Sequence, residues 1–273
     1  MDPIQTQMVF RCAEQWMGGL FYQVEPWGDG LRLDRDRAAT GLYCMKAVDS
    51  GESGFRWEGA VHEVITPRGK ILYSDAAVTH AKTGPGDPER NLRIFEGLMA
   101  GGRELSPREQ FYYARELTYH GRDGEAAGVF LSFLDSGRGW VENNIEACLN
   151  LAACLERLGR SEEAFSALVR SFRYGEPRAE VCCELGHFFF RRGVYAPARF
   201  WYGRALDAPE GGRSGGFVIP DCHGYTPCIG LCACLWRLGE RDQARRYNER
   251  AGALRPDGAE YLFNKKFFDS AAD

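Results

Sequence analysis

The sequence predicts an α+β protein: a small N-terminal α/β region followed by an all-α helical-repeat solenoid. The main observation is a column of glycines at 121, 159, 193 and 239. Each has a small residue seven positions before it (Ala114, Ala152, Gly186, Cys232), a large apolar one four before (Leu117, Leu155, Phe189, Leu235) and an alanine five after (Ala126, Ala164, Ala198, Ala244). A second observation is the run of short apolar stretches broken by turn residues from Gly41 onward, which reads as strands. The third is composition. With 273 residues, 44% hydrophobic and 26% charged, the chain is long enough and apolar enough to bury a core.

Residues 1–35 are weakly patterned. Met8 to Phe21 is moderately apolar and reads as a short helix, and Pro26-Trp27-Gly28-Asp29-Gly30 is a turn cluster. The run from Trp57 to Ile65 reads as a strand leading into a Pro67-Arg68-Gly69-Lys70 turn. Residues 71–74 and 76–80 then suggest strand pairing across that turn. Thr83 to Pro88 is a linker by composition. Leu92, Phe95, Leu98 and Met99 are spaced as one face of a helix over Glu89 to Ala100.

Ser106-Pro107-Arg108-Glu109 is a helix start, with serine as N-cap, proline in the first turn and glutamate at the third helical position. Beyond it, helices alternate with glycine-containing turns. The small residue lets two helices approach closely, and the glycine ends the first helix in a left-handed conformation without steric cost. The anchors lie 38, 34 and 46 residues apart, around the ~34-residue period of tetratricopeptide helix–turn–helix units. Four such units suffice for a free-standing solenoid. The extra length of the last interval falls in Ala208 to Gly224; its apolar and aromatic ending favours a packed loop.

A net charge of −4 with both signs interspersed argues against nucleic acid and against a polybasic membrane patch. No window is long and apolar enough for a membrane span, and the first residues lack a signal-peptide pattern, so a cytoplasmic location is expected. Of the ten cysteines, Cys222, Cys228, Cys232 and Cys234 with His223 invite a metal reading. The register favours another. Cys148, Cys182 and Cys228 each stand eleven residues before an anchor glycine, and Cys232 fills the small-residue position, so they read as small core hydrophobes.

Trp57-Glu58-Gly59-Ala60-Val61-His62-Glu63, followed by Ser74-Asp75 and His80, resembles the W-x-G-x-V-H-E segment in the acceptor-side half of certain bacterial family 2 glycosyltransferases. The likeness continues through Arg90-Asn91-Leu92, Leu105 to Glu109 and Phe111 to Leu117. Trp140 to Asn143, Pro177 to Glu180 and Trp201-Tyr202 resemble the tetratricopeptide tail of the same group. The resemblance implies a GT-A domain that transfers a sugar from a nucleotide-sugar donor to an acceptor with inversion, aided by a divalent metal (Mn²⁺ or Mg²⁺). Under it Glu63, with Glu58 second, is the candidate base; Trp57, His62 and Arg90 are candidate substrate contacts; His80 is the candidate metal ligand. The residues taken alone also read as a core tryptophan, structural histidines and solvated glutamates.

The nucleotide-binding half of that fold has no room before Trp57. Asp34-Arg35-Asp36 has the letters of a D-x-D metal pair, but its flanking arginines make it a solvated charge cluster. The expected organisation is therefore a partial glycosyltransferase region over 1–104 and a tetratricopeptide domain over 105–273. Two functions follow: sugar transfer completed by a missing half, or a non-catalytic scaffold that binds a protein partner or itself through the repeat face. Tyr112, Tyr113, Arg115, Trp201 and Tyr202 are candidates for that face.

Overall fold

A computed structural model describes residues 87–209 and 218–270, together with 25–27, 30–32, 57–62 and 64–65. The chain divides into two units, residues 1–95 and 96–273.

In the first unit, β1 (Glu25–Trp27) pairs antiparallel with β2 (Gly30–Arg32), flanking the Gly28-Asp29 pair. β3 (Trp57–Glu58) pairs antiparallel with β4 (Val64–Ile65), with Trp57 opposite Ile65 and Glu58 opposite Val64. The stretch 57–65, expected as one strand, is thus a small hairpin. Gly59 at φ 105° and His62 at φ 52° turn the backbone between its two arms, and histidine is among the few residue types that tolerate the left-handed region. The pairing expected across Pro67–Lys70 and the helix expected over Met8–Phe21 lie outside the described residues.

The expectation of an α+β protein is overturned. The described strands are two or three residues long, and neither sheet is wider than two strands. Such ladders bury too little to form a sheet layer; burial is carried by helices instead. α1 (Arg90–Ala100) has Leu92 and Phe95 of the expected apolar face buried, while Leu98 is half-buried and Met99 exposed.

Residues 107–254 form four helix pairs. These are α2 (Pro107–Tyr119) with α3 (Asp123–Ser136), and α4 (Val141–Arg157) with α5 (Ser161–Arg170). They are followed by α6 (Ala179–Arg191) with α7 (Tyr195–Asp207), α8 (Tyr225–Arg237) with α9 (Arg241–Leu254), and a single closing helix α10 (Ala259–Ser270). The four anchor glycines sit between the helices of each pair at φ 70–85°, where an L side chain would be strained. The alanines five residues on are all buried, as are Ala114, Ala152, Gly186 and Cys232, so the helices of each pair meet on small side chains.

Ser106 caps α2 as expected. Its hydroxyl accepts from the Glu109 N–H at 3.3 Å, and its own N–H donates to Glu109 Oε2 at 2.9 Å. Arg103 donates to the other oxygen at 2.6 Å. Burial alone would raise the Glu109 pKa, but the Ser106 bonds and Arg103 outweigh it and hold the carboxyl below the usual range. The cysteines take the core positions their register assigns. Cys148, Cys182, Cys228 and Cys232 are buried, and burial pushes the thiols of Cys182 and Cys232 up to about 11 and of Cys148 to about 12.

The end of the long insertion packs at Cys222, while Val218 and Ile219 of its apolar stretch are exposed. Pro220–His223 forms a 3-10 turn, Cys222 is buried, and the Ile219 N–H donates to Glu180 Oε1 at 2.7 Å. The Cys183 thiol donates to the Cys222 carbonyl at 3.6 Å.

Candidate functional site

Within residues 96–273, α2 touches α4 and α6 touches α8, while each second helix packs on the first helix of the next unit. This stacking puts the first helices side by side along one surface, the arrangement that gives helical solenoids an extended binding face. Two columns of that surface escape full burial in all four units. Six positions before each anchor glycine stand Arg115, Ala153, His187 and Ala233; three before stand Thr118, Glu156, Phe190 and Trp236. Ala153 is exposed and the other seven are half-buried, whereas the small residues seven positions before the glycines are all buried.

The chemistry changes along the face. On α2, Arg115 donates to the Tyr119 hydroxyl at 2.7 Å, and its guanidinium stands 5.7–5.8 Å from the Phe111, Tyr112 and Tyr119 rings. Arg108 lies 4.8 Å over the Tyr112 ring. On α4, burial pushes the Glu146 carboxyl above its ordinary range, opposed by Arg115 and by Asn150, whose amide donates to it at 3.2 Å. On α6, His187 faces Glu184 at 3.3 Å and the Tyr202 ring edge-on at 5.5 Å. On α8, Trp236 meets Phe267 of α10 edge-on at 5.0 Å, and Phe263 of α10 is 75% exposed. The face therefore runs from cation and aromatic, through mixed charge, to aromatic.

Of the aromatics expected on this face, Tyr112, Tyr113 and Tyr202 are instead buried. Trp201 stacks on Phe172 at 5.9 Å and packs against the cluster of Cys182, Cys183 and Cys222. They build the units rather than the surface. Glu156, His187 and Phe263 were not singled out from the sequence, although the column offsets of the first two were readable from the anchor glycines.

The residues expected for sugar transfer fall elsewhere. His62 is half-buried in the link between β3 and β4, and Arg90 is the exposed first residue of α1, donating to Asn91 Oδ1 at 3.1 Å. Glu63 and His80 lie outside the described residues, as do the side chains of Trp57 and Glu58. Among the described residues no three His, Cys, Asp or Glu side chains converge as a metal site, and no helix is long and apolar enough to cross a membrane.

No known protein-family model matches the chain, and no curated protein matches it. Solved structures do. The crystal structure of BtubC (BKLC) from P. vanneervenii aligns with a TM-score of 0.51 at 21% identity, covering 63% of this chain and 74% of that one. Residues 107–270 have a tetratricopeptide-like solenoid fold. YrrB, described as a TPR protein with an unusual peptide-binding site, aligns at 0.49 and 17% identity over 66% of this chain and 84% of its own. PilF from Pseudomonas aeruginosa aligns at 0.49 and 18% identity over 64% and 72%. At these identities the likeness concerns the fold alone.

Proposed function

We propose that this chain is a non-catalytic tetratricopeptide scaffold that holds a protein partner, as an extended segment, along the partly exposed columns of its first helices. The observation that carries this reading is the pair of columns that escape full burial through all four units. A surface of that kind runs across successive units instead of closing around a small molecule. Its spaced aromatic, acidic and basic groups suit a peptide whose side chains alternate in character. Sugar transfer has no supporting observation among the described residues or in the comparisons.

Selection of a phage-displayed random peptide library on the full chain tests the reading. Selected peptides should lose binding in a variant reversed on the exposed face (Arg115→Glu, Glu184→Arg) and keep it in one reversed on a second helix (Glu163→Arg, Arg246→Glu). Failure to select any peptide, or equal loss in both variants, would overturn it. Calorimetry with UDP and Mn²⁺ discriminates the alternative: metal-dependent binding would restore a nucleotide-sugar function.

A further inference from the structure

The seam between the second and third units differs from the other two. Across the first seam, Arg157 pairs with Asp123 at 2.6 Å and Arg170 with Asp135 at 2.8 Å. Across the last, Arg199 pairs with Glu240 at 2.7 Å. In the middle seam, Arg191 stands 3.4 Å from Glu156 and Arg192 3.5 Å from Glu162. Packing follows the same pattern. α5 rests on α6 more sparsely than α3 on α4 or α7 on α8. The local cause is α5 itself, which is 10 residues long where the other second helices have 13 or 14 and ends in the 3-10 turn Ser171–Arg173. At the N-terminal ends of α4 and α6 the seam is closed by the 2.6 Å bond from Arg178 to Glu142. Toward the C-terminal end of α6, Phe165 of α5 stacks on Phe188 at 4.7 Å and meets Phe189 edge-on at 5.8 Å.

Beside these rings lies a cavity of about 200 Å³, lined by Ala152, Ala153 and Glu156 of α4, Leu168 of α5, and Glu184, Phe188 and Arg191 of α6. Ala152 and Ala153 leave the space, and Leu168 and Phe188 give it apolar walls. Glu156 Oε1 is shut off from water and accepts no hydrogen bond. A carboxylate oxygen in that state lacks the partners that buried charge needs. Arg191 engages the other oxygen only at 3.4 Å, and Glu184 adds a second acid, so acid exceeds base in the lining.

We infer that this cavity is a pocket for one basic side chain, arginine or lysine, of the peptide bound along the face; the inference rests on the scaffold reading above. Leu168 and Phe188 cover the methylene stem, as apolar surface does for long cationic side chains. The Glu156 carboxylate, engaged by Arg191 only at 3.4 Å, keeps capacity to accept from the incoming guanidinium or ammonium. Glu184 meets the charge from the opposite helix.

The test is a positional-scanning library of soluble random peptides, read by fluorescence polarisation against the full chain. In each pool one position is fixed as arginine, lysine, citrulline, norleucine or glutamate. One position should favour arginine or lysine over neutral citrulline by about tenfold. Glu156→Gln should abolish that preference while the chain stays folded by circular dichroism. Ala153→Leu, which fills the cavity and keeps the carboxylate, should abolish it too. Peptides that bind with no basic preference, with a preference for glutamate, or with a basic preference surviving both variants would overturn the pocket and leave the scaffold standing. Pools that do not bind at all would overturn both.

Discussion

Arg178 Nη2 donates a 2.6 Å hydrogen bond to Glu142 Oε1, tying the start of α6 to the start of α4. The glutamate side chain is 9% exposed and the arginine 25%, so the pair is largely withdrawn from water. Removing one member strands the other, and an unsatisfied buried group costs more than its bond contributes. Arg178→Ala should destabilise the chain by about 1–3 kcal/mol, measured by urea unfolding. Arg178→Ala with Glu142→Leu should recover part of that loss, because the stranded carboxylate is gone. A double variant no more stable than the single one would show that the bond is incidental.

Tyr202 of α7 lies between the backbones of α6 and α8. A Cβ on Gly186 would stand 2.7 Å from its ring, and one on Gly230 2.5 Å. The ring is buried and rigidly held, so neither methyl has room. Gly230→Ala should cost about 1–3 kcal/mol through overpacking. In a Tyr202→Leu background the added methyl should cost less. Equal costs in the two backgrounds, by thermal or urea unfolding, would contradict this packing.

Legibility in the sequence divides along physical lines. Gly121, Gly159, Gly193 and Gly239 announced the turns because a left-handed residue is a local demand met by one residue type. The Ser106–Glu109 cap was equally local. Gly230 passed unnoticed because its reason is the Tyr202 ring, a neighbour that only the stacking of units supplies. The same holds for Glu156: its column is periodic, but the loosened seam beside it depends on the early end of α5. Residues 57–65 misled in the opposite way. Their place among short apolar stretches broken by turn residues suggested a strand, while Gly59 and His62 fold the stretch back on itself. The closing helix α10, whose face bears Phe263 and Phe267, carries no anchor glycine after it and so escaped the repeat pattern.

Gly159 sits at φ 73° with nothing within 4 Å of the place a Cβ would take. Its cost on substitution is therefore conformational alone. Gly159→Ala should destabilise by about 1 kcal/mol, and Gly159→Asn by less, since asparagine tolerates the left-handed region. An alanine variant as stable as the parent would remove the conformational reason for the glycine column.

Glu109 supplies a pH signature. Its folded pKa lies below the ordinary value of 4.5, so its stabilising contribution is full above that value and lost as pH falls through the lower folded one. Acid titration of stability from about pH 5 to about pH 3 should show a fall that Glu109→Gln reduces. Ser106→Ala should cost about 1 kcal/mol at neutral pH through loss of the cap. If Glu109→Gln leaves the acid limb unchanged, the capping box does not set it.

The central claim, that the partly exposed columns of the first helices hold a peptide, is tested most directly by photocross-linking. A selected peptide carrying a central benzoylphenylalanine is irradiated with the full chain, and the adducts are located by mass spectrometry. The account predicts adducts at or beside Tyr119, Ala153, His187 and Ala233. Adducts concentrated instead at Phe200, Val169 or Val194 on the second helices and their turns would contradict it.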